Sequence, residues 1–124
     1  MPLLLAFLAS ASAWLWPLTP APAVVRGFHP PATAHGPGHR GVDLAGAVGD
    51  PVLAAGAGVV TVAGPVAGRG VVVVLHGRLR TTYEPVAASV HVGVVVLAGD
   101  RLGTLIAGHP GCPVAACLHW GLLR

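Results

Sequence analysis

The sequence predicts an all-β domain, and three features of its composition and pattern lead to that prediction. Valine dominates the apolar residues and aromatic residues make up only 5% of the chain, a balance that favours short strands. Eighteen glycines and twelve prolines interrupt the chain every few residues, which favours tight turns over helices. Some apolar runs, such as 71–75, show no alternation with polar residues, so both faces of the strand are expected to be covered, as in two packed sheets.

Eight short apolar segments from Gly41 onward are predicted to be strands, because glycine-containing turns separate them. They are residues 41–44, 51–54, 58–63, 71–76, 79–83, 94–97, 101–106 and 117–122. The preceding segment, 14–31, is rich in proline and alanine and carries two tryptophans, and it is predicted to be an extended arm. Residues 32–124 are then expected to form one domain.

Residues 1–13 form an apolar stretch that ends in Ala11-Ser-Ala13, the small-residue pattern that a signal peptidase accepts. We therefore expect a signal peptide and a protein that is secreted or held in the cell envelope. Pro17 and Pro20 interrupt the apolar segment before about 20 residues accumulate, so no stable membrane span is expected.

The charged residues of the chain argue against two classes of function. Seven arginines are scattered along the chain against four acidic residues, whereas a nucleic-acid partner calls for a basic stripe or block. Glycine-aspartate hairpins at 49–52 and 99–103 echo those of biotinyl and lipoyl carrier domains. Such domains attach their cofactor to a lysine, and this chain has none, so a carrier function is excluded by its chemistry.

Two short motifs are candidates for a metal site. In the first, His39 and Asp43 stand four residues apart where a glycine-rich loop enters a predicted strand. In the second, Cys117 and His119 stand two apart on the last predicted strand and therefore share a face. One carboxylate and two imidazoles make a three-ligand set of the kind that leaves zinc an open position for water. Taken alone, the first motif is more typical of a surface histidine and a turn-capping aspartate than of a metal site.

The ordered set of motifs resembles the lysostaphin or LytM-type peptidase domain over roughly residues 26–124. The matching stretches are 38–44, 49–52 with 57–60, 69–73 with 76–77, 81–83 and 118–120. The resemblance implies a zinc-dependent endopeptidase that cuts peptide cross-links of peptidoglycan, on an antiparallel two-layer β-sandwich of the barrel-sandwich hybrid kind. It also implies that His39, Asp43 and His119 hold Zn²⁺ and that peptidoglycan peptides are the partner.

The sequence departs from the resembled family at two positions. The first histidine of the family's H-x-H motif is Cys117 here, and the histidine of its Tyr-x-His-Leu motif is Pro85. Both auxiliary imidazoles are thus missing from their positions, and losing a positioned acid or base typically costs about 10²- to 10⁴-fold in rate. The alternative function is therefore an inactive relative that binds wall peptides or regulates a partner hydrolase.

Three residues are further candidates for catalysis. Tyr83 is the polar group expected near the oxyanion, whereas Glu84 is expected on the opposite face of its strand, as a replacement base or as a solvated edge carboxylate. Cys117 has three interpretations, namely a disulfide with Cys112, a fourth metal ligand or a free thiol. His76 is expected either to support a metal ligand or to be an ordinary edge histidine. No role is expected for the histidines at positions 29, 35, 91 and 109, which lie in loops or at strand starts.

Overall fold

The computed structural model describes residues 14–27 and 41–124, and within these ranges the chain forms ten strands and no helix. The strands are β1 (Val24–Arg26), β2 (Val42–Gly46), β3 (Pro51–Leu53), β4 (Gly58–Val66), β5 (Arg69–His76), β6 (Leu79–Glu84), β7 (Val86–Ala88), β8 (Val95–Val96), β9 (Arg101–Leu105) and β10 (Ala116–Leu123). Accordingly, no helix in the described ranges is long and apolar enough to cross a membrane.

The strands pair in two antiparallel sheets, which confirms the predicted all-β fold. The large sheet has seven strands in the order β1-β2-β10-β6-β5-β4-β8, and the small sheet has three in the order β3-β9-β7. Each of the eight predicted strands overlaps an observed one. The sequence does not predict β1 and β7: β1 lies in the segment expected to be an extended arm, and β7 directly follows Pro85 without a glycine-containing turn before it.

The hydrophobic core lies between the two sheets. Leu44 and Leu118 are fully buried on the inner face of the large sheet, and Val52 and Leu102 meet them from the small sheet. In β5, fully buried valines alternate with half-buried apolar residues, so the outer face of this strand is partly covered. That partial cover accounts for the apolar run without polar alternation.

The segment before β1 packs against side chains of β5 and β10. The ring of Trp14 meets His76 edge-on with ring centroids 5.0 Å apart, and Trp16 tilts against Trp120 with centroids 5.9 Å apart. Leu18 inserts into the core and is only 3% exposed. These contacts lead the chain into β1, which pairs with β2 and brings Arg26 into the sheet.

A chain of hydrogen bonds runs through the core beside β6. The buried N–H of Ala55 donates to the Tyr83 hydroxyl at 2.9 Å, and this hydroxyl donates to Oγ1 of Thr81 at 2.8 Å. Oγ1 of Thr81 lies 2.7 Å from Nε2 of His76, whose Nδ1 donates to the Ala57 carbonyl at 2.6 Å. Burial raises the pKa of Tyr83, and its hydrogen bonds oppose that rise. The Tyr83 hydroxyl and both ring nitrogens of His76 are therefore engaged in hydrogen bonds of this network.

Replacing Tyr83 by Phe tests this structural role. The substitution leaves the buried N–H of Ala55 without its acceptor, so we expect the free energy of unfolding to fall by about 1–3 kcal/mol. Urea denaturation measures the loss. Thr82→Val, on the other face of the same strand, is the control and should change stability by less than about 0.5 kcal/mol. Unchanged stability with lost activity would instead support the predicted oxyanion role.

Candidate metal centre

A row of polar side chains crosses four neighbouring strands of the large sheet. The register pairs Arg26 of β1 with Asp43 of β2, Asp43 with His119 of β10, and His119 with Glu84 of β6. Residues that pair directly across antiparallel strands project from the same face of the sheet. Because Leu118, next to His119, lies in the core, the row occupies the outer face.

Asp43 is at the centre of the row, and its side chain is fully buried. Oδ1 of Asp43 lies 2.8 Å from Nδ1 of His119, and Oδ2 lies 3.6 Å from Nη1 of Arg26. A buried carboxylate is costly unless charge or hydrogen bonds compensate it, and these two side chains supply both. The pairing of β2 with β1 and β10 thus buries an acid together with its partners.

The loop between β9 and β10 adds a third side chain that the sequence analysis did not select. Nε2 of His109 lies 2.9 Å from the same Oδ1 of Asp43, and its ring centroid is 5.2 Å from that of His119. One donor atom from each of the three residues lies within 4.8 Å of the others. The expectation of no role for His109 rested on its place in a glycine- and proline-rich loop. In the structure the loop folds back onto the sheet, so His109 contacts Asp43 and is not open to solvent.

Burial shifts the pKa of His109 downward, below the ordinary value of histidine. The Asp43 carboxylate opposes this shift, and His119 adds to it. A neutral imidazole has a lone pair on one ring nitrogen, which is the form that a metal ion requires.

A disulfide between Cys112 and Cys117 closes this loop. Cys117 is on the same face of β10 as His119 and is almost completely buried. The loop has a second attachment, since Nη1 of Arg26 lies 3.5 Å from the carbonyl of Pro110. With its sulfur in the disulfide, Cys117 offers no thiolate to a metal. The close spacing of the two cysteines in the sequence indicated that this loop could be closed by a disulfide.

The other candidates from the sequence are distributed over both faces of the sheet. His39 lies outside the described residues, and its role as a ligand stays a prediction. Tyr83 and Glu84 project from opposite faces, as strand alternation predicts, and it is Glu84 that shares the face of His119. Glu84 and His109 both line a cleft of about 150 Å³ beside Pro85.

Position 41, two residues before Asp43, has no room for a side chain. A Cβ atom at this position would lie 2.6 Å from the carbonyl oxygen of Trp120 and 3.0 Å from Nε2 of His119. The absence of a side chain thus lets the start of β2 approach the imidazole of β10 closely.

Replacing Gly41 by Ala is expected to displace His119. The new methyl group meets backbone, which cannot move aside cheaply, so β2 and β10 must separate locally. We expect weaker zinc binding in competition with a chelating dye and a lower melting temperature. A folded variant with the zinc affinity of the wild type would contradict the close approach.

The fold and the donor cluster define a peptidase-like domain with a possible metal site, and sequence comparison places it in a family. The model of peptidase family M23 matches residues 37–124, and the chain belongs to this family. It is 59% identical over 109 residues to the uncharacterized protein Rv2891 of Mycobacterium tuberculosis (strain ATCC 25618 / H37Rv). The match covers 87% of this chain and 44% of the relative, so the chain spans less than half the length of that protein.

Solved structures show the same architecture and confirm the resemblance found in the sequence. A zinc-containing peptidase from Vibrio cholerae superimposes with a TM-score of 0.71 and 28% identity, over 91% of this chain and 37% of that one. The catalytic domain of lysostaphin from Staphylococcus simulans gives a TM-score of 0.70 and 24% identity, over 82% of this chain and 80% of that one. The second match shows the fold alone.

Proposed function

We propose that this domain is a zinc-dependent endopeptidase that acts on peptide cross-links of bacterial peptidoglycan. The observation that carries the proposal is the cluster of Asp43, His109 and His119, whose donor atoms lie within 4.8 Å of one another on the outer face of the large sheet. Membership of peptidase family M23 and the likeness to a zinc-containing peptidase support it.

The donor set fits zinc. Histidine nitrogen and aspartate oxygen are ordinary zinc ligands, and a catalytic site combines three protein ligands with an open position. Asp43 and His119 would hold the ion, with His39 as the third ligand that the sequence predicts. When bound, the ion would polarise a peptide carbonyl and lower the pKa of a bound water toward about 7.

Residues of the chain would position the ligands, compensate the buried charge and accept a proton. The contact between Asp43 and Nδ1 of His119 holds the carboxylate and the imidazole side by side at the cluster. Arg26 faces the other oxygen of the Asp43 carboxylate and compensates its buried charge. The cleft lined by Glu84 and His109 gives a peptide a place beside the cluster, and Glu84 would accept a proton there as general base.

An extracytoplasmic location agrees with this substrate. Peptidoglycan lies outside the cytoplasm, and the predicted signal peptide at 1–13 would deliver the domain there. The disulfide between Cys112 and Cys117 supports export, because disulfides persist in oxidising compartments and are rare in the cytosol.

The alternative is an inactive relative that binds wall peptides or regulates a partner hydrolase. The replacement of both auxiliary histidines by Pro85 and Cys117 favours it. The presence of His109 at Asp43 favours activity, since it returns an imidazole to the site from another part of the chain.

Incubation of the purified protein with peptidoglycan tests the function. We expect new amino termini to be released, and a chelator to abolish the release, because removal of the ion removes its polarising effect. His119→Ala should lower zinc affinity and activity by more than about 100-fold. His91→Ala, an exposed histidine between β7 and β8, is the matched control and should retain both. Binding to peptidoglycan without release would establish the alternative.

Replacing Glu84 by Gln tests the proposed general base. The substitution keeps the size of the side chain and removes its charge, so we expect kcat to fall by about 10²-fold or more. Zinc content should stay at the level of the wild type, because Glu84 is not in the donor cluster. Activity equal to that of the wild type would identify Glu84 as a solvated edge carboxylate.

A further inference from the structure

The loop 106–115, which joins β9 to β10, carries the side chain of His109 to Asp43. We propose that His109 is an additional donor of the metal centre and that the disulfide between Cys112 and Cys117 positions it. This inference rests on the proposed metal site and names a ligand outside the set of His39, Asp43 and His119. With four protein donors, the open position for water would be a fifth one, and zinc expands to five ligands in some catalytic sites.

The first argument is the geometry at one oxygen atom. Nε2 of His109 and Nδ1 of His119 lie 2.9 and 2.8 Å from the same Oδ1 of Asp43. A cation bound at this oxygen therefore has both imidazoles within reach. Two ligands on one tetrahedral zinc ion stand about 3.3 Å apart at bond lengths of about 2.0–2.1 Å, so these contacts need only a small expansion.

The second argument is the low exposure of His109. Its side chain is 10% exposed, in a loop whose neighbouring residues are largely open to solvent. A loop histidine with no function at the sheet would ordinarily face water. Here the imidazole turns inward to the one buried carboxylate among the described residues.

The third argument is the way the loop is held. The disulfide joins a residue three positions after His109 to a residue two positions before His119, so it ties the loop to the strand that carries the other imidazole. Gly108 and Gly111 have φ angles of 118° and 77°, which lets the chain turn sharply on both sides of the His109-Pro110 pair. Opening the disulfide lengthens the free loop and enlarges the range of positions open to His109.

The guanidinium of Arg26 provides a second point of attachment. Its Nη1 lies 3.5 Å from the carbonyl of Pro110 and 3.6 Å from Oδ2 of Asp43, so one side chain bridges the loop and the carboxylate. The Arg26 contact at Pro110 and the disulfide at Cys112 thus both hold the part of the loop that directly follows His109.

Zinc affinity, measured by competition with a chelating dye, tests the proposal without reference to activity. We expect His109→Ala to weaken binding by about 10- to 100-fold and to change the absorption spectrum of the Co²⁺-substituted protein. The Cys112→Ser/Cys117→Ser variant should weaken zinc binding in the same direction. If the disulfide acts through His109, the triple variant should bind zinc no more weakly than His109→Ala. His91→Ala is the control and should bind as the wild type does.

Two results would overturn the proposal. Wild-type zinc affinity and Co²⁺ spectrum in His109→Ala would show that His109 is not a donor. Additive losses in the triple variant would show that the disulfide acts elsewhere. Where the serine pair fails to fold, Cys112→Ala/Cys117→Val keeps the buried position of Cys117 apolar and replaces it in the cycle.

The outcome is separable from that of the proposed function. Zinc binding that depends on His109, without hydrolysis of peptidoglycan, supports this inference and overturns only the enzymatic proposal. Zinc binding and hydrolysis that are both insensitive to His109→Ala overturn this inference and leave the enzymatic proposal in place. A wild-type protein that binds no zinc overturns both.

Discussion

The buried carboxylate of Asp43 is the constraint on which the rest of the site depends. A fully buried acid is costly unless its charge is compensated, and removing one partner of a buried ion pair is among the larger losses a fold can suffer. The partners come from three separate places: Arg26 from the strand before it in the chain, His109 from a loop and His119 from the last strand. The pairing of β1, β2 and β10 and the closure of the loop are thereby coupled to a single side chain.

Strand alternation lets the large sheet serve the core and the site at the same time. Along β6, Tyr83 faces inward to a hydrogen-bonded network while Glu84 faces the cleft. Along β10, Leu118 enters the core, whereas His119 reaches Asp43 on the other face. A slip of one residue in either strand would exchange these sets, so the apolar core also fixes the register of the polar row.

Cys117 shows how one position can change its contribution without leaving the site. At this position the H-x-H motif of the lysostaphin-type pattern has its first histidine. Here the sulfur forms a disulfide with Cys112, and the loop so closed carries the imidazole of His109 to Asp43. The departure from the motif and the unexpected histidine are therefore parts of one local arrangement.

The sequence by itself determined the all-β class, eight of the ten strands and the opposite orientations of Tyr83 and Glu84, because turn residues and strand alternation are local signals. Only the tertiary structure decided that Arg26 and His109 meet Asp43. Arg26 depends on the pairing of a three-residue strand, and His109 is 66 residues from Asp43 along the chain. Contacts of this kind follow from how strands pair and how a loop closes in space, and no periodic pattern in the sequence records either.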